Sequence, residues 1–373
     1  MRCLWRRFAP TAGSYERLTR GCKSLSSSGG SNEREGEKSS RRGGKRAPGV
    51  DCRRSTGDLS VAVVGGGCSA LCATILLKQN PAIREIRVVD TDDSLAAAVC
   101  DIRQIDTSTM IRHFEKESIL EGTRNCHIVA LMDETDFTLG SQGPFGQFAW
   151  SASYVKSTAE CMLNSCPRAL IAVFARPVTA TLPLVHEVFR YSGDWDPNRI
   201  VGSAALETMR VIGMAAAHLN LDPACLTIPM AGGVDSSTVV PLLSRIKPLV
   251  DFSDKEHCKL VGQVRSTDQE LCESEARGPT LSSGVAAAKF VSTLVNGLKN
   301  RSISVASAYV RSDALPGCKY ATSEIKFGPR GVEKNYGLPR ISPREVALVE
   351  RAAPLINEIG ASAEIFFNTG KIK

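Results

Sequence analysis

Val61-Ala62-Val63-Val64-Gly65-Gly66-Gly67-Cys68-Ser69-Ala70 is the stretch from which the rest of the chain can be understood. Its first four residues are the short aliphatic run of a parallel strand covered on both faces. Gly65, Gly67 and Ala70 then stand at the G-x-G-x-x-G/A spacing. The first glycine permits a tight turn, the second lets backbone approach a pyrophosphate, and a small third residue lets helix pack closely on strand. Residues 72–78 continue as an apolar helix, and Ile86-Arg87-Val88-Val89-Asp90 is a second strand ending on an acid. Asp90 stands where a carboxylate accepts hydrogen bonds from the adenosine ribose hydroxyls. Strand, glycine turn, helix, strand and terminal acid in that order predict a dinucleotide-binding unit.

The same alternation continues. Residues 94–105 have helical apolar spacing, and Cys126-His127-Ile128-Val129-Ala130-Leu131 forms another buried strand. A glycine-rich loop over 133–148 holds Gly140, Gly143, Pro144 and Gly146, and its length suits a lid or binding segment. A helix over 149–166 and the strand Ala169-Leu170-Ile171-Ala172-Val173-Phe174 follow, ending in Ala175-Arg176-Pro177-Val178. Alternating strands and helices predict a doubly wound parallel sheet that binds ligands at the carboxyl ends of its strands. The character changes around 200–203. Beyond it come a long helix over 204–219 with Glu207 and Arg210 on one face, then a strand entering the turn Gly232-Gly233-Val234. A helix over 282–298 and strands near 304–310 and 324–327 make the second half α+β. The last helix starts at the N-cap Ser342, with Pro343 first and Glu345 completing a capping box. The expected fold is therefore α/β, an N-terminal Rossmann domain over 58–202 followed by an α+β substrate domain over 203–373.

The net charge of +7 over 373 residues is unevenly distributed. Residues 1–55 carry 14 Lys and Arg against 5 Asp and Glu, leaving 32 against 34 in the remainder. The nearly neutral body offers no nucleic-acid footprint. The basic, Arg- and Ser-rich start, with Leu4, Trp5 and Phe8 interspersed, has the composition of a mitochondrial transit peptide. The same polar composition also suits a disordered tail. Residues 26–57 suit a linker or processed presequence. No apolar run approaches the roughly 18 residues of a membrane span. The thirteen cysteines include no C-x-x-C pair, and Cys68, Cys72, Cys161 and Cys166 are expected to be buried small hydrophobes in a reducing compartment, with no metal site.

Further stretches carry a family resemblance: Cys166-Pro167-Arg168-Ala169-Leu170-Ile171, Pro197-Asn198-Arg199-Ile200, Leu221-Asp222-Pro223, Thr280-Leu281-Ser282 and Gly331-Val332-Glu333-Lys334-Asn335-Tyr336-Gly337. With the landmarks above, residues 59–367 resemble mitochondrial-type NAD-dependent malate dehydrogenase, of the lactate/malate dehydrogenase superfamily. The resemblance implies NAD as cofactor, a dicarboxylate (malate or oxaloacetate) as ligand, the mitochondrial matrix as location, and a homodimer or a heterodimer with a paralogue. In that family hydride passes between malate and nicotinamide while a histidine moves the proton, its unperturbed pKa being near neutrality. A carboxylate orients the histidine, and arginines grip the substrate carboxylates as bidentate forks.

Carried over position by position, Gly65, Gly67, Ala70 and Asp90 match the dinucleotide pattern once one residue is deleted from the family's turn. Ser151 aligns with a cofactor-contacting asparagine. Arg210 matches a substrate arginine, and Glu207 stands where the family has the histidine-orienting Asp; the two equally suit an ion pair that holds the helix in place. The histidine position is occupied by Val234. The two loop arginines are absent from Phe137-Thr138-Leu139-Gly140-Ser141-Gln142-Gly143-Pro144, and the family's Asn-Pro-Val has become Arg176-Pro177-Val178. Arg176 with Arg210 is then the expected carboxylate grip. Losing the general acid/base alone costs roughly 10²- to 10⁴-fold in rate. The resemblance thus implies a malate dehydrogenase-like protein that keeps NAD and has lost efficient turnover. The alternative is an active 2-hydroxy acid dehydrogenase using water or a displaced histidine.

Overall fold

The computed structural model describes residues 57–91, 95–134, 143–193, 195–273, 279–301 and 303–371. The targeting segment expected over 1–57 lies outside them up to residue 56, as does the 135–142 part of the glycine-rich loop. The first half runs β1 (Leu59–Val64), α1 (Gly67–Lys78), β2 (Ile83–Val89), α2 (Ala96–Ile102), β3 (Met110–Phe114), α3 (Ile119–Thr123), β4 (Ile128–Leu131), α4 (Pro144–Ser165), β5 (Leu170–Val173), α5 (Val178–Ser192) and β6 (Ile200–Ser203). The second half runs α6 (Ala205–Leu219), β7 (Met230–Gly232), β8 (Val239–Pro241), α7 (Asp254–Glu273), α8 (Leu281–Leu298), β9 (Val305–Arg311), β10 (Tyr320–Gly328), β11 (Gly331–Asn335) and α9 (Pro343–Thr369).

One sheet carries nine of these strands in the order β11-β10-β9-β6-β5-β4-β1-β2-β3. The six strands from β3 to β6 are parallel, in the 3-2-1-4-5-6 order of a Rossmann sheet, and β9, β10 and β11 add antiparallel pairings at the β6 edge. The switch point between β1 and β4 opens a crevice at the carboxyl ends of the strands. Strand side chains alternate between two cores. Ala62, Val64, Val129, Leu131, Ile171 and Val173 face α4, α5 and α9, whereas Val61, Val63, Ile128, Ala130 and Leu170 face α1 and α8. A third, smaller core joins α6, α7, β7 and β8.

The expected boundary at 202/203 falls inside β6, whose Gly202 and Ser203 pair with Tyr309 and Ala308 of β9. The capping box forms as expected: the Ser342 side chain caps the Glu345 N–H, and Glu345 Oε2 accepts the Ser342 N–H at 2.8 Å. The cysteine expectation is corrected. Of the four residues named for burial only Cys166 is buried; Cys68 is exposed in the first turn of α1, and Cys72 and Cys161 are partly exposed. Apolar composition around a cysteine does not fix which face of a helix it occupies. No three His, Cys, Asp or Glu residues gather to hold a metal ion, and no helix is long and apolar enough to cross a membrane, among the described residues.

Candidate functional site

The glycine turn is built as its spacing requires. Gly65 has φ +142°, and a Cβ there would sit 2.7 Å from both the Asp133 carbonyl oxygen and Met132 Cβ, so only glycine lets β1 pass this close to the end of β4. Gly67 follows at φ +68° and opens α1, whose first turn has no side-chain cap and no acid. Uncapped N–H groups and the helix dipole make such a terminus an anion site. Ala70 is fully buried against the sheet. These features fit a dinucleotide pyrophosphate.

Beside the turn, a cavity of about 560 Å³ opens over the ends of β1 and β2, lined by Val64, Val89, Asp90, Lys116, Trp150 and Tyr154 among others. Its size and largely apolar lining suit a nucleoside. Asp90 borders it, but the side chain is buried: Oδ2 accepts the Leu95 N–H at 2.6 Å and lies 3.4 Å from His113 Nε2. The strand-end acid therefore also ties β2 to the start of α2 and to β3. Ser151, the other expected cofactor contact, is buried, donates to the Gln147 carbonyl at 3.3 Å and lines neither large cavity.

A second cavity of about 490 Å³ lies between the start of α4, the segment after β5, α6, the β7–β8 turn and the end of α7. Its wall includes Arg176, Val178, Glu207, Val234, Asp235 and Asp268. Arg176 is committed within the protein. Its backbone N–H donates to Asp133 Oδ1 at 2.7 Å, while Nε and Nη2 both donate to Oδ2, at 2.9 and 2.7 Å. Arg210 turns to Asp268 on α7 instead of Glu207, its helix neighbour. The two expected substrate arginines thus come to the same region, each facing an aspartate of its own.

Glu207 is only 9% exposed, and among the described residues no other residue donates a hydrogen bond to its carboxyl. Burial pushes its pKa up to about 7, against the opposing pull of Arg210. Val234 sits in a tight hairpin. Gly232 takes φ +78°, and a Cβ there would come within 2.3 Å of the Thr238 carbonyl oxygen. Val234 is buried, and its N–H donates to Thr179 Oγ1 at 3.4 Å.

Comparison with known proteins gives this geometry a lineage. Residues 204–364 match the family described as lactate/malate dehydrogenase, alpha/beta C-terminal domain. Mitochondrial malate dehydrogenase of Caenorhabditis elegans is 29% identical over 314 residues, covering 83% of this chain and 91% of that one. The human mitochondrial enzyme is 28% identical over 315 residues, covering 83% and 92%. The second half of this chain is thus similar to that family's C-terminal domain, and most of its length is similar to mitochondrial malate dehydrogenases. Solved structures share the fold. Malate dehydrogenase from Picrophilus torridus, in its apo form, superposes with TM-score 0.71 at 18% identity over 84% of this chain and 99% of that one. The Cryptosporidium parvum malate dehydrogenase does so with TM-score 0.72 at 15% identity over 82% and 99%.

Against the family frame, the histidines are informative. All five are described, and none lines the cavity beside Val234. His127 contacts Ser60, His218 pairs with Glu256, and His257 lies 3.8 Å from Glu345. His186 accepts the Trp195 indole N–H at 2.9 Å, and burial drives its pKa down to about 3. Sequence reasoning missed Asp133 and Asp268, which decide where the arginines point. Asp133 stands two residues past the end of β4, a position that could have marked it. Asp268 lies 58 residues beyond Arg210 on a helix without a clear apolar repeat, and no local signal marked it.

Proposed function

We propose that this protein is a malate dehydrogenase-like NAD(H)-binding protein of the mitochondrial matrix that has lost efficient malate oxidation and acts by binding. The observation that carries this reading is Val234, a side chain unable to move a proton, at the family's histidine position in a cavity wall without a histidine. The arginine pairings support it, because a dicarboxylate would have to displace Asp133 from Arg176 or Asp268 from Arg210. NAD, when bound, supplies a hydride acceptor. Gly65, Gly67 and Ala70 would admit its pyrophosphate to the start of α1, and Asp90 would border its ribose. The domain reading is a presequence and linker over 1–57, a cofactor domain over 58–202 and a family C-terminal domain over 203–373, paired as a homodimer or with a catalytic paralogue.

A second reading has one specific support. Glu207 borders the cavity with a carboxyl that titrates near neutrality, and such a group can serve as acid or base. Both are tested by following NADH consumption with oxaloacetate, for the wild type and for Val234→His, alongside NADH binding by fluorescence. Binding without turnover supports the first reading. Turnover of roughly 10 per second or more, abolished in Glu207→Gln, establishes the second. Absence of NADH binding overturns both.

A further inference from the structure

Among the described residues, the cavity beside Val234 is lined by more acidic than basic side chains. Its two neighbouring cations are each matched by one aspartate, Arg176 by Asp133 and Arg210 by Asp268. Glu207, Asp235 and Glu273 remain on its wall, and none has a lysine or arginine within ion-pair distance among the described residues. Asp235 Oδ1 accepts the Ser237 N–H and hydroxyl, while Oδ2 is buried with no hydrogen-bond partner. Glu207 is nine-tenths buried, lines the cavity and receives no hydrogen bond from another of the described residues. Apart from its own backbone N–H, that carboxyl has no hydrogen-bond donor among the described residues, and a charged donor compensates a buried carboxyl best.

A metal ion is a poor candidate, because no cluster of three ligating groups exists among the described residues. The space, about 490 Å³, is that of an organic molecule. Pro144, Pro177, Val178 and Val234 add apolar wall to the acidic groups. An alkyl chain has a surface to lie on, and an ammonium group brings three N–H donors. A dicarboxylate would place two more negative charges beside Asp235 and Glu273, which have no lysine or arginine within ion-pair distance among the described residues.

We propose that this cavity binds a small aliphatic amine, its ammonium group held by the Glu207 carboxyl and its alkyl chain lying on Val178 and Val234. This goes beyond the proposed function and does not depend on NAD being bound.

The experiment is isothermal titration of the full-length chain with 1,4-diaminobutane, butylamine and succinate, each with and without NADH. Both amines are expected to bind at roughly millimolar concentration or below, with succinate at least about tenfold weaker. Glu207→Gln should weaken the amines about ten- to hundredfold, the loss of one charge-assisted buried contact. Asp235→Asn provides a second variant, and a thermal melt checks that both remain folded. The proposal is overturned if succinate binds as tightly as the diamine, if neither amine binds, or if both folded variants keep wild-type amine affinity. Amine binding without NADH binding would leave this proposal standing and defeat the proposed function.

Discussion

Replacing Glu207 by glutamine keeps the side chain's size and removes its ability to ionise, so the variant isolates the cost of one buried carboxylate. The folded protein holds this group's pKa at about 7, against an ordinary value of 4.5, because burial penalises the charged form more than Arg210 favours it. At 1.36 kcal/mol per pH unit the difference amounts to roughly 3 kcal/mol. Between pH 4.5 and 7 the unfolded chain has released the proton and the folded chain has kept it, so stability falls as pH rises. The group's contribution is intact below about pH 4.5 and fully lost above about pH 7. Glu207→Gln should therefore match the wild type near pH 5 and exceed it at pH 8 by up to about 3 kcal/mol, or about 5 °C in Tm for a body of this size. Urea unfolding and thermal melts of both proteins from pH 5 to 8.5 measure this. A stability difference between variant and wild type that stays constant over that range would refute the assignment of Glu207 as a buried acid with a raised pKa.

Asp133→Ala should cost about 3 to 5 kcal/mol by urea unfolding, because it strands the largely buried Arg176 guanidinium; a loss under about 1 kcal/mol would mean that solvent already supports that charge. Gly65→Ala should cost upward of about 2 kcal/mol and abolish NADH binding, since the new methyl group would meet the Asp133 carbonyl at a φ that side chains rarely adopt; unchanged melting together with NADH affinity would contradict the close approach. Glu345, although burial pushes its carboxyl up, is brought down to about 2 by His257, Ser244 and Ser342. Its stabilisation is present above pH 4.5 and fades as pH falls towards 2, so Glu345→Gln should cost up to about 3 kcal/mol at pH 7 and little near pH 2 in pH-resolved unfolding.

The fold was legible where the local signals agreed. Val61 to Val64 lie between two helical layers, and their aliphatic run shows it; Ser342, Pro343 and Glu345 announce α9 because a capping box is a local device. Other elements hide for physical reasons. α5 carries Pro183 in its interior together with several β-branched residues, and is held by burial rather than by propensity. α7 buries only His257, Leu260, Val261 and Val264 of its twenty residues, so its apolar period is faint. β3 is an edge strand of mixed exposure. For the site, the glycine turn and Val234 could be found from spacing and resemblance. The orientation of the arginines could not, because it is decided by Asp133 and Asp268, partners distant in sequence and brought near only by the completed fold.

Pairing between β6 and β9 makes one continuous sheet of strands from both halves of the chain. A hinge at residues 202–203 would have to break backbone hydrogen bonds in the interior of that sheet, since Gly202 and Ser203 are themselves buried ladder residues. Rigid-body closure of one half on the other is therefore unavailable as a response to ligand. The two halves should also melt as one cooperative unit, so damage to the second half, such as a lost α8 or β10, would be felt at the cofactor turn as lost stability rather than as a detached domain.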